Sequence, residues 1–180
     1  MHKEESMLRV ALIGPESSGK TSLCKLLSAH YNTAFVPEYS RSYVEKLNRN
    51  YTEEDVLHCI QEQFNTEKSI IQNKYKIIFV DTDAIMGKVW LEDVFKKCPQ
   101  WVEEIIQQFP YDLYLLTFPD LEFEADPVRE NPHRLGFFFD WYESELIKRK
   151  LNYRVVKGSS TARFENALQF VEELFHLPKT

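Results

Sequence analysis

Apolar residues follow two rhythms along this chain, and the two alternate. Five short runs, at residues 8–13, 33–36, 76–80, 113–117 and 153–156, are dominated by apolar and β-branched residues. Runs of that length and composition read as strands. Between them, apolar residues recur every three or four positions, which places them on one face of a helix. Leu23, Leu26 and Leu27 share such a face in a helix predicted to end near His30. Val56, Ile60, Phe64 and the pair Ile70-Ile71 mark a longer helix over about 52–73. It opens on Thr52-Glu53-Glu54-Asp55, where a hydroxyl can cap free N–H groups and the acids meet the positive end of the helix dipole. Further helices are expected over about 85–95 and 100–108, through Trp141 to Lys150, and over 161–175.

Strands that alternate with helices imply parallel strands joined by helical crossovers. The expectation is therefore an α/β three-layer fold, a five-stranded parallel sheet flanked by helices. It would form one domain over residues 7–180, behind a polar, flexible tail at 1–6. The chain has 180 residues, enough to bury one sizeable core.

The connection after the first strand carries the strongest chemical signal. Gly14-Pro15-Glu16-Ser17-Ser18-Gly19-Lys20-Thr21 fits G-x-x-x-x-G-K-[ST], between a strand and a helix. The glycines let the backbone turn and aim successive N–H groups at phosphate oxygens. Glu16, Ser17, Ser18 and Ser22 belong to the same ATP-binding loop. Lys20 would reach the β- and γ-phosphates, and the Thr21 hydroxyl would be a ligand of Mg²⁺. The apolar run at 76–80 ends in Asp81-Thr82-Asp83. A carboxylate there sits at the sheet edge level with the loop, so Asp81 is the candidate second Mg²⁺ ligand and Asp83 should lie close by.

Ligands of open α/β sheets bind outside the carboxyl ends of the strands. Glu38-Tyr39-Ser40-Arg41-Ser42-Tyr43 follows the second strand at that edge. Glu38 is the candidate proton acceptor, with Asp83 and Arg41 holding substrate hydroxyls. Trp90 and Trp101 read mainly as packing residues, with base stacking open to Trp90. After the fourth strand, the segment 118–134 contains Pro119, Pro127 and Pro132 together with Arg129 and Arg134. Its prolines disfavour one continuous helix, and it reads as a lid whose arginines close over the γ-phosphate. Gly158 and Arg163 follow the fifth strand, where they could contact the adenine; plain turn and helix surface is the competing reading.

Composition removes several classes. Net charge is −6 with no block of Lys or Arg, so no nucleic-acid surface is expected. No apolar run has membrane-spanning length. Cys24, Cys59 and Cys98 are scattered and odd in number, which points to neither a disulfide framework nor a zinc ribbon and fits a reducing cytoplasm. Nothing in the pattern sets an oligomeric state. There is no guanine-specifying N-K-x-D, and the chain is short for a motor or a ring ATPase with its second domain. A small-metabolite kinase suits what is left.

The loop, Glu38-Tyr39-Ser40-Arg41, Asp81-Thr82-Asp83, the strand from Asp112 to Leu116 and Asp126-Pro127-Val128-Arg129 occur in one order along nearly the whole chain. In that set the chain resembles the ribosylnicotinamide kinase domain of NadR-type proteins. The resemblance implies phosphorylation of nicotinamide riboside by ATP, giving nicotinamide mononucleotide, and places Arg129 on the family's D-x-x-R pattern. No adenylyltransferase activity is expected, since nothing precedes the first strand. Pro37 stands where the NadR pattern has a Trp suited to stacking on the nicotinamide ring, and Phe123 stands for its lid Trp. Tyr39, Tyr43 or Trp90 would then supply the stacking face. Two other readings stay open: a kinase of another small substrate, and a regulatory ATPase or nucleotide switch on the same fold.

Overall fold

A computed structural model describes residues 7–73, 75–122 and 133–176. Five strands form one sheet: β1 (Leu8–Ile13), β2 (Phe35–Val36), β3 (Ile77–Asp81), β4 (Leu113–Thr117) and β5 (Tyr153–Val156). Their order across the sheet is β2-β3-β1-β4-β5, and every pairing is parallel. The helices are α1 (Lys20–His30), α2 (Tyr39–Val44), α3 (Glu53–Ile71), α4 (Ala84–Phe95), α5 (Gln100–Gln108), α6 (Leu135–Lys148) and α7 (Ser160–His176). The expected five-stranded parallel α/β sheet is the one observed.

Side chains of a strand alternate between its faces, and β1 divides its residues accordingly. Leu8, Val10 and Leu12 pack with Leu23 and Leu27 of α1 and Ala167 and Val171 of α7. Ala11 and Ile13 pack against Val56 and Ile60 of α3, Val89 of α4 and Leu146 of α6. Both faces are thus covered, which is why the strands read as nearly unbroken apolar runs. Among the described residues, no helix is long and apolar enough to cross a membrane.

Two local departures stand out. The second strand keeps only its last two residues, Phe35 and Val36, and ends as expected at Pro37, which has no N–H to continue the ladder. Thr33 lies outside it, yet its hydroxyl still reaches the Ile77 carbonyl at 2.5 Å. The six residues of α2 wind into a helix that the apolar pattern does not reveal, because none of them is buried. Elsewhere the caps follow expectation: Thr52 and Asp55 bond reciprocally at the start of α3.

Register fixes where the chemistry sits. Leu12 pairs with Asp81 and Ile13 with Leu116, so the carboxyl ends of β1, β3 and β4 finish at one edge. The helices beyond that edge are tied together by buried charge. Lys88 of α4, 3% exposed, lies within 4 Å of Glu92, Glu103 of α5 and Glu145 of α6. Arg149 closes the cluster onto Glu103 and Glu145. A buried ammonium is tolerable only with such partners.

Candidate active site

The phosphate-binding loop is braced from inside. The Lys20 ammonium donates to the carbonyls of Gly14 and Pro15 at 2.9 and 2.8 Å, turning back over its own loop. Gly19 caps α1 with φ of 80°, a left-handed conformation that favours glycine. The start of α1 then points its free N–H groups at the loop, as an anion site requires.

Thr21 and Asp81 meet as expected. The Thr21 hydroxyl donates to Asp81 Oδ2 at 2.6 Å. Asp81 is fully buried, and its Oδ1 has no hydrogen-bond partner among the described residues. Burial pushes this carboxyl above its ordinary range, opposed by nearby Lys20 and the Thr21 bond. An unsatisfied buried carboxylate oxygen beside a hydroxyl suits a hard cation that prefers oxygen ligands. Two residues on, Asp83 caps α4 by accepting the Met86 N–H at 3.2 Å. Burial pushes the Asp83 carboxyl up to about 7 against the pull of the Met86 and Ile85 amides.

Thr21 and Asp83, with Asp81 set just behind Thr21, belong to a cleft of about 790 Å³ lined by Glu16, Ser17, Ser18, Gly19, Lys20, Thr21 and Ser22 and by Glu38, Arg41, Asp83 and Trp90. Glu38 stands at the start of α2 and accepts the Ser40 hydroxyl at 2.7 Å. Arg41 reaches forward to Glu45, the residue that caps the end of the same short helix, at 3.1 Å. Gln63 of α3 sets the position of this helix. Its amide oxygen accepts the Tyr39 N–H at 2.8 Å, and its amide nitrogen donates to the Asp81 carbonyl at 3.3 Å. Nothing marks Gln63 in the sequence, since it is one polar residue in a long amphipathic helix.

The aromatic candidates separate. Tyr39 and Tyr43 are not part of the cleft lining and so cannot offer a stacking face there. Both rings pack on His58, and the Tyr43 hydroxyl donates to Asp55 at 2.8 Å. Trp90 does line the cleft, edge-on to Tyr51 with ring centroids 5.0 Å apart. Nothing in the sequence marks Tyr51, because an aromatic in a loop carries no spacing signal.

The residues after β5 form a rivet. The Arg163 guanidinium, 2% exposed as a residue, donates to the carbonyls of Val156, Gly158 and Phe118 and pairs with Asp120. Asp120 also accepts the Gly158 N–H at 2.7 Å. Arg163 reaches the cleft wall beside Gly19, whereas Gly158 is set back from it. Of the lid candidates, Arg129 lies outside the described residues, as do Phe123 and Pro127. Arg134 forms two bonds to Asp93 of α4, at 2.8 and 2.6 Å, and its guanidinium lies over Phe137 and Phe138. Asp93 lines the cleft, so this pair stands at its rim.

The sequence of the AAA domain family matches residues 9–163. The chain belongs to that family. Among curated proteins it is similar to the trifunctional NAD biosynthesis/regulator protein NadR of Escherichia coli (strain K12), 26% identical over 92% of this chain and 42% of that protein. The NadR of Salmonella typhimurium is also 26% identical, over 67% of this chain and 30% of that protein. The chain therefore spans less than half the length of the curated relatives it matches. Among solved structures, NadR in complex with NR superposes with a TM-score of 0.84 at 22% identity, covering 97% of this chain and 53% of that one. A deoxyadenosine kinase from M. mycoides superposes at 0.66 with 10% identity, over 92% of this chain and 100% of that one. Both likenesses show the fold alone, a parallel sheet with helices on both faces.

Proposed function

We propose that this chain transfers the γ-phosphoryl group of ATP to the 5′-hydroxyl of nicotinamide riboside, giving nicotinamide mononucleotide in a reducing cytoplasm. The observation that carries the reading is one continuous cleft. A phosphate-binding loop lies at one end and two carboxylates, Glu38 and Asp83, stand beside an aromatic corner at the other. The similarity to NadR, a protein of NAD biosynthesis seen in complex with NR, supports this acceptor.

Residues 14–22 would hold the phosphates with backbone N–H groups, and Lys20 would swing from its loop carbonyls to the β–γ bridge. Thr21 and Asp81 would hold Mg²⁺, which when bound neutralises phosphate charge. Glu38 accepts the hydroxyl proton as the oxygen attacks, while Asp83 and Arg41 hold the ribose hydroxyls. Trp90, with Tyr51 at its edge, supplies the stacking face that Pro37 does not. Arg163 and the Gly158 loop bound the adenine side. Arg129, and Arg134 once released from Asp93, would come over the transferring phosphoryl group from a lid spanning about 118–134 within a single domain of residues 7–180.

Labelled ATP offered with nicotinamide riboside, adenosine, deoxyadenosine, thymidine and no acceptor tests this. Nicotinamide riboside should be phosphorylated fastest. Faster turnover of another hydroxyl compound would move the protein to the second reading, which Pro37 favours: a kinase of a different small acceptor. Hydrolysis without any preferred acceptor would make it a nucleotide switch.

A further inference from the structure

A single hydroxyl at the end of β4 reaches the phosphate-binding loop on both sides of its turn. Thr117 is the last residue of an otherwise apolar buried strand and is itself completely buried. It lies behind the loop and takes no part in the cleft lining. Its Oγ1 lies 3.1 Å from the Ile13 carbonyl, to which it can donate, and 2.6 Å from the Ser18 hydroxyl. Ser18 in turn can donate to the Pro15 carbonyl at 2.7 Å. Each hydroxyl has one proton, so the bonds run either from Ser18 through Thr117 to Ile13 or from Thr117 through Ser18 to Pro15. In both arrangements the two hydroxyls remain bonded to each other.

Contact with the backbone is as close. A Cβ placed on Gly14 would lie 2.3 Å from Thr117 Oγ1 and 2.7 Å from the Thr117 carbonyl oxygen. The strand end therefore presses on the first residue of the loop and bonds to its fifth. Anion binding depends on where the loop's N–H groups point, and they have no side-chain freedom with which to correct an error.

We infer that Thr117 is a positioning residue of the nucleotide site, whose hydroxyl, through Ser18, holds the loop in the shape that receives a triphosphate. The inference rests on the nucleotide half of the proposed function and is independent of the acceptor. The competing explanation is packing alone, in which case valine would serve as well.

The test measures affinity for a non-hydrolysable ATP analogue on the full chain without acceptor, together with unfolding temperature. Thr117→Val keeps the shape and removes the hydroxyl; it should weaken nucleotide binding by roughly tenfold, the usual worth of one buried hydrogen bond. Thr117→Ser keeps the hydroxyl and removes a buried methyl; it should bind almost as the unchanged protein does while unfolding at lower temperature. Ser18→Ala and the double substitution complete a cycle, and the two losses should not add, because each single change breaks the same bond. Additive losses, or a Thr117→Val protein that binds the analogue at full strength, would overturn the role. Should Thr117→Val not fold, Ser18→Ala removes the same pair from the loop side, and unchanged affinity there is equally fatal. Lys20→Ala is the control. An unchanged protein that binds no better than Lys20→Ala overturns the reading of the whole nucleotide site, not the part of Thr117 alone.

Discussion

The two ends of the cleft are built differently. At the nucleotide end four side chains are already committed: Lys20 to its loop carbonyls, Ser18 to Thr117 and Pro15, Thr21 to Asp81, Arg163 to three carbonyls and Asp120. These residues sit on strand ends and on the first turn of a helix, with the sheet behind them. At the acceptor end, Glu38 caps and Arg41 belongs to a six-residue helix with no buried residue, and Tyr51 stands in a loop. Under the proposed function, the difference follows from the ligands. A triphosphate presents the same oxygens whatever the acceptor, so one rigid cradle serves. An acceptor is selected by shape and ring chemistry, which short surface elements can vary without disturbing the sheet.

The sharpest way to break this contrast is at Glu38. Glu38→Gln should lower kcat by ~10²–10⁴ and leave nucleotide affinity as it was, because it removes a base without touching the cradle. A normal kcat with raised KM for the acceptor would move the base to Asp83. On the other side, Lys20→Ala should cost ~10²–10³ in turnover with the fold retained, since the ammonium lies at the cleft wall over its own loop carbonyls. Turnover near that of the unchanged protein would remove Lys20 from the chemistry.

Smaller effects sharpen the comparison. Trp90→Ala should raise the acceptor KM by roughly 5- to 150-fold, the range that corresponds to about 1–3 kcal/mol of base stacking, with the KM for ATP unchanged. Trp90→Phe should recover most of it. If the KM for ATP rises instead, Trp90 belongs to the nucleotide side. The smallest effect is expected at Asp55, which anchors the acceptor-end helix. Its carboxylate accepts from Arg49, from the Thr52 N–H and from Tyr43 of α2, and the Arg49 guanidinium first among these holds it well below the ordinary carboxylate range. A depressed carboxyl stabilises the fold above its unfolded value of 3.8, and that stability is lost as the pH falls through the folded value. Asp55→Asn should therefore lower the unfolding temperature at neutral pH, and the gap to the unchanged protein should close as the solution is taken well below pH 3.8. A constant gap across that range would show that geometry, not charge, is what Asp55 contributes.

Legibility in the sequence divides along the same line. The loop at 14–21 and the aspartate after an apolar strand were readable because phosphate binding needs particular residues at fixed local spacing, and the matching register of β1 and β3 brings Thr21 and Asp81 together. Asp83 and Glu38 were readable as residues at strand ends. Tyr39 and Tyr43 were equally eligible on that logic, yet the turn of α2 carries both rings outward onto His58. Gln63, Tyr51 and Asp93 reach the cleft from α3, a loop and α4, and no local pattern distinguishes them from surface residues.

The sequence by itself determined the alternation of strands and helices, the parallel sheet that alternation requires, and the phosphate-binding loop. Each of these is written in spacings of a few residues, where backbone geometry acts directly. Only the tertiary structure decided that Thr117 braces the loop from β4, that Gln63 ties α2 to β3, and that Trp90 rather than either tyrosine faces the cleft. Those pairings join residues from 18 to 99 positions apart. They depend on which strand lies beside which and how far a short helix turns, and no local pattern of apolar and polar residues encodes either.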